Sequence, residues 1–115
     1  MKIDQNTINN VCVLAPRGRL DAATAPQLRE RLGAMGGQDR QMVIDLGQVE
    51  FIDSSGLGAL VAHVRALRKL DGDLKLAALN DKVRRVFELT RAFRLFDIFD
   101  SSSAAAASYR HEDAA

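Results

Sequence analysis

The sequence predicts an α/β domain built on a mixed β-sheet with short crossovers. Three observations carry this. Strand-like and helix-like segments alternate through most of the chain. Two strand-like segments joined by Asn9-Asn10 precede that alternation. The chain has 115 residues, enough for one ordinary domain and too few for two.

The elements follow in order. Lys2–Ile8 and Val11–Ala15 read as a hairpin, because Asn tolerates the positive φ that a tight turn needs. Pro16-Arg17-Gly18 ends or bends the second strand. A helix follows in TAPQLRERLGAMGG: Thr24 and Gln27 have capping-box spacing, and Pro26 falls in the first turn. Leu28, Leu32 and Met35 recur at helical spacing, and Gly36-Gly37 stops the helix. Gln41–Leu46 is a compact strand, and GQVEFID leads from it into a second apolar run. From Leu57 onward, Leu57, Leu60, Val61, Val64, Leu67 and Leu70 define one buried helix face. His63, Arg65, Arg68 and Lys69 lie off that face, and Asp71-Gly72 closes the helix. Leu74–Leu79 is a strand. Asn80 or Asp81 caps a third helix bearing Val83, Val86, Phe87 and Leu89. Leu95–Phe99 is a short strand, and Ser101–Ser103 cap an alanine-rich helix through Ser108. The domain is thus expected over residues 1–108, with a frayed tail over 109–115.

Composition excludes several functions. The formal charge of +1 and the scarcity of aromatics, five Phe and one Tyr, argue against a nucleic-acid surface. The single cysteine, Cys12, lies among Val11, Val13 and Leu14 and reads as a small core hydrophobe. No segment resembles a signal peptide or is apolar enough to cross a bilayer, so cytoplasmic residence is the expectation. No Walker pattern occurs, and the spacing of Asp21, Asp45 and Asp53 matches no calcium or magnesium loop; neither cofactor nor metal is expected. Arg17 and Arg19 read either as partners for another protein's carboxylates or as solvated loop charges, and Arg84, Arg85 and Arg91 as the wet side of a helix.

The chemistry concentrates in EFIDSSGLGALV, residues 50–61, where a strand gives way to a helix. Three readings are open. Ser54 or Ser55 caps the helix, with Gly56 and Gly58 allowing close packing. Alternatively, one serine is a nucleophile. However, the pattern lacks the glycine two residues before the serine, His63 lies nine residues along the same helix, and His111 falls in the expected tail. In the third reading a serine carries a phosphate. The helix's free N–H groups would receive it, while Asp53 and Asp21 would oppose it.

The chain resembles the anti-sigma factor antagonists of the STAS domain group (sulfate transporter and anti-sigma antagonist). GRLDAATAPQLRERL resembles their glycine-x-leucine-aspartate loop and first helix, VIDLGQVEFIDSSGLGALV their central strand, phosphorylation loop and helix, and DKVRRVFELT their third helix. The resemblance implies a single domain with helices mainly on one face of the sheet and no enzymatic activity. It implies that the bare protein binds an anti-sigma factor, a serine kinase of histidine-kinase-like ATPase fold, and so frees a sigma factor. The kinase then phosphorylates the antagonist, and a serine phosphatase resets it. The modified residue carries over to Ser54, with Asp21, Asp53, Ser55, Gly56 and Leu57 shaping the loop and meeting the partner. Neither nucleic acid nor membrane insertion is implied. The chain departs from many relatives in having Arg91-Ala92-Phe93 where they have a glycine after the third helix. The alternative is a constitutive STAS scaffold or transporter-complex subunit, as in lipid transport, indifferent to phosphorylation.

Overall fold

The computed structural model describes residues 1–35 and 39–114, with side chains through Tyr109. The strands are β1 (Ile3–Ile8), β2 (Val11–Pro16), β3 (Gly18–Leu20), β4 (Gln41–Asp45), β5 (Val49–Ile52), β6 (Asp73–Ala77) and β7 (Ile98–Phe99). The helices are α1 (Ala25–Ala34), α2 (Ser54–Arg68), α3 (Asp81–Leu89) and α4 (Ser102–Ala114), with a 3₁₀ turn at Ala92–Arg94.

The main sheet has the order β1-β2-β4-β6-β7. The hairpin β1–β2 is antiparallel and the other pairings are parallel. Asn9 and Asn10 both take positive φ, as the two-residue turn requires. Gly18, at φ +90°, redirects the chain after β2. Gly18–Leu20 therefore leave the main sheet and pair in parallel with β5, forming a separate two-stranded ribbon.

Residues of α1, α2 and α3 pack with one face of the main sheet: Leu28 and Leu32, then Leu57, Leu60, Val64 and Leu67, then Val83 and Phe87, all around Leu14, Met42, Ile44, Leu74 and Leu76. Among the described residues, α4 covers the other face, through Ala105, Ala106 and Tyr109 against Val11, Val13, Val43 and Ala77. Alternating residues of the central strands thus feed two cores, which is why β4 reads as a nearly continuous apolar run, while β6 interrupts its run with the buried Lys75, whose Nζ donates to the Ser108 hydroxyl of α4 at 2.7 Å.

Several expected details differ. The Gly36-Gly37 stop lies outside the described residues. Thr24 occupies the N-cap position of α1 but makes no side-chain cap. Its Oγ1 instead donates to the Arg19 carbonyl and accepts from the Asp21 N–H, so it closes the preceding loop. Leu70 and Leu89 are exposed, because α2 stops at Arg68 and Leu89 is the last residue of α3. The strand expected at Leu95–Phe99 shrinks to Ile98–Phe99, since the 3₁₀ turn precedes it. The last helix does not stop at Ser108. It continues to Ala114, and Tyr109 is buried with its one hydroxyl proton shared between the carbonyls of Met42 (2.7 Å) and Asp73 (2.9 Å). Those bonds let a residue expected in a frayed tail anchor the helix instead.

Candidate functional site

The site is assembled by the ribbon. In the β3–β5 register Leu20 lies opposite Ile52, so the residues that follow, Asp21 and Asp53, leave two adjacent strand ends together. The Asp53 N–H donates to the Leu20 carbonyl at 3.2 Å, which ties the two ends. Leu20 and Ile52 face the core. Arg19 and Phe51, one residue earlier, face solvent, with the Arg19 guanidinium 4.1 Å from the centre of the Phe51 ring.

Asp53 is the N-cap of α2. Its carboxylate accepts from the N–H of Ser55 (2.8 Å) and of Gly56 (3.1 Å), and its carbonyl accepts from the Leu57 N–H at 2.9 Å. The cap expected of Ser54 or Ser55 is therefore made by the aspartate before them. An extended backbone at φ −115° and ψ −172° aims its carboxylate at those amides. Ser54, the first helical residue, is exposed, and Ser55 is half-buried. Neither hydroxyl makes a hydrogen bond among the described residues. The amides expected to welcome a phosphate are thus largely taken by Asp53.

Gly56 packs against the ribbon. A Cβ there would lie 2.3 Å from the Leu20 carbonyl oxygen and 2.7 Å from the Leu20 Cγ, so α2 approaches β3 closely because this residue is glycine. Leu57 anchors the same turn in the core. Gly58 faces α1, not the sheet, with a Cβ position 3.4 Å from Arg29 Nη2.

Asp21 organises the other half of the site. Its Oδ1 accepts from the N–H groups of Ala23 (3.0 Å) and Thr24 (3.2 Å), and Oδ2 accepts from Arg19 Nε at 3.2 Å. Desolvation works to raise its pKa, but the Arg19 bond, the two amides and the Thr24 hydroxyl outweigh it, so the carboxyl titrates below its ordinary value. Sequence patterning alone does not assemble the Arg19–Phe51–Asp21 cluster. Its signal is the alternation in Gly18-Arg19-Leu20-Asp21, which in an extended segment puts Arg19 and Asp21 on one side.

The alternative chemistry fares poorly. His63 is half-buried, burial holds its pKa below the ordinary value, and its buried Nε2 has no hydrogen-bond partner among the described residues. Nine residues of helix separate it from Ser54, about 13 Å at 1.5 Å per residue, too far to act as a base. The side chain of His111 lies outside the described residues. Cys12 is buried, and burial raises its thiol pKa. Among the described residues no cluster of three or more His, Cys, Asp or Glu could hold a metal, and no helix is long and apolar enough to cross a membrane.

The STAS domain model matches residues 2–105. A Bordetella bronchiseptica protein that carries the name anti-sigma factor antagonist BtrV is 32% identical over 111 residues, 96% of each chain. The anti-sigma-B factor antagonist of Bacillus subtilis is 36% identical over 81 residues, 70% of this chain and 74% of that one. A solved structure from Thermotoga maritima, also called an anti-sigma factor antagonist, superposes with a TM-score of 0.88 at 26% identity, covering 94% of both chains. The chain therefore belongs to the STAS domain family, and within it to the anti-sigma factor antagonists.

Proposed function

We propose that this chain is a non-catalytic cytoplasmic binding module switched by phosphorylation of Ser54. Unmodified, it sequesters an anti-sigma factor, a serine kinase of histidine-kinase-like ATPase fold, and so releases a sigma factor. The kinase transfers the γ-phosphoryl of ATP to Ser54 Oγ, the hydroxyl proton and ADP leave, and the partners separate. A serine phosphatase restores the bare form. The chain makes no direct contact with nucleic acid and inserts into no membrane.

One observation carries this reading: the Ser54 hydroxyl is exposed and unbonded at the mouth of α2, with Asp53 and Asp21 emerging from adjacent strand ends. A hydroxyl with no structural duty can be modified without loss of a cap. A phosphate there adds about −1.5 to −2 charges to a loop that already carries two carboxylates. Like charges brought together across an interface cost several kcal/mol, which is orders of magnitude in affinity. The names of the relatives support the partner class.

Intact-protein mass spectrometry after incubation with the partner kinase and ATP, with the modified peptide sequenced, tests the site. Phosphate on Ser54 and not Ser55 is expected. Ser54→Ala should keep binding and block modification, and Ser54→Asp should weaken binding at least tenfold. A Ser54→Asp protein that binds like the parent overturns the switch.

A further inference from the structure

We propose that Arg29, on α1, is the cation that receives the phosphate of Ser54, so that modification ties α1 to α2. The proposal rests on the reading of Ser54 as the modified residue.

A phosphate at this position lacks the reception usual at a helix start. The Asp53 side chain holds the Ser55 and Gly56 amides, and its carbonyl holds the Leu57 amide. At most the Ser54 N–H remains. Asp53 and Asp21 repel the added charge, so a cation must offset them. Two arginines stand beside the elements that meet here: Arg19 on the ribbon, next to Asp21, and the exposed Arg29 on α1, next to Gly58. Arg19 is committed: it bonds Asp21 at 3.2 Å and lies over Phe51. Arg29 makes no ion pair or hydrogen bond among the described residues.

The placement of Arg29 follows from Gly58. Its Nη2 lies 3.4 Å from where a Cβ of Gly58 would stand. Gly58 follows Ser54 by four residues, so both sit on one face of α2, about 6 Å apart along the axis. Ala62 extends the same row. With His63, Ala59, Leu32, Gly33 and Arg29 it lines a groove of about 150 Å³ between α1 and α2. Gly58 places no side chain against the exposed guanidinium, which can change rotamer. A turn toward the start of α2 carries it to the phosphate, where its fork of donors suits two phosphate oxygens. The bare protein then has α1 and α2 joined by apolar packing, and the modified protein adds an ionic bridge at the open end of their groove.

The test installs phosphoserine at position 54 of the full chain by genetic encoding, so no kinase is needed, and follows the second phosphate ionisation by ³¹P NMR. The groups facing the phosphate are Asp53, Asp21, Arg19 and Arg29. Relative to the parent, Arg29→Gln should raise that pKa by about half a unit or more, Arg29→Lys should raise it less, and Arg19→Gln should have the smaller effect of the two glutamine variants. Circular dichroism of each variant checks that it is folded. An Arg29→Gln protein that titrates like the parent, or a larger shift in Arg19→Gln, overturns the assignment. Either result leaves the switch standing, because Ser54→Asp binding tests that separately. Conversely, loss of the switch would leave the phosphate–Arg29 geometry measurable.

Discussion

Replacing Gly56 by alanine and, separately, Gly58 by alanine should move stability in opposite directions, although both glycines lie in the first turns of one helix. At Gly56 the new methyl would stand 2.3 Å from a backbone oxygen of Leu20. An ordinary C···O contact is about 3.3 Å or more, so the start of α2 must retreat by about 1 Å. The obstacle is backbone, held by the Asp53–Leu20 hydrogen bond and the Leu20–Ile52 register, and cannot rotate away. Overpacking of this kind costs about 1–3 kcal/mol, and the better helix propensity of alanine returns up to about 1 kcal/mol. A net loss of roughly 1–2 kcal/mol is expected, or about 4–8 °C in Tm for a domain of this size. At Gly58 the neighbour at 3.4 Å is the end of the Arg29 side chain, which can shift. Alanine should there be neutral or stabilising by up to about 1 kcal/mol. Urea and thermal denaturation followed by circular dichroism measure both. A Gly56→Ala protein as stable as the parent would refute the close approach of α2 to β3. Equal losses at both sites would show that helix packing does not distinguish them.

Other outcomes follow from single contacts. Asp53→Ala should cost about 0.5–2 kcal/mol in urea denaturation through the lost cap, whereas Ser54→Ala should change stability by less than about 0.5 kcal/mol; the reverse order would return the cap to the serine. Tyr109→Phe removes the donor to Met42 and Asp73 and should cost about 1–2 kcal/mol, with faster amide exchange in α4; an unchanged midpoint would release α4 from that role. His63 should titrate below 6.5 by proton NMR, because burial disfavours its charged form. A folded pKa below the unfolded value means that its contribution to stability is complete above the unfolded pKa and is lost as pH falls through the folded one, and denaturation midpoints measured across that range test the sign.

Much of this molecule is legible in local sequence, for identifiable reasons. Spacings of three and four at Leu57, Leu60, Val64 and Leu67 are a property of one helix and required no partner to be read. Asn9-Asn10 is a turn whatever surrounds it, because positive φ at two successive residues suits few others. Asp53, Ser54 and Gly56 could be singled out, since polar and small residues between two apolar runs need an explanation.

The division of labour among those residues belonged to tertiary structure. Aspartate and serine are near-equal caps, so intrinsic preference could not choose between Asp53 and Ser54. The choice fell to the ribbon, in which Leu20 accepts from the Asp53 N–H and holds that residue extended, its carboxylate over the amides. The partnership of Arg19 with Phe51 needed a parallel pairing between segments 32 residues apart, and the anchoring of Tyr109 needed Met42, 67 residues away. Periodicity reports which face of an element is buried. It carries no information about which distant element buries it, because that depends on chain closure over intervals much longer than a helical turn.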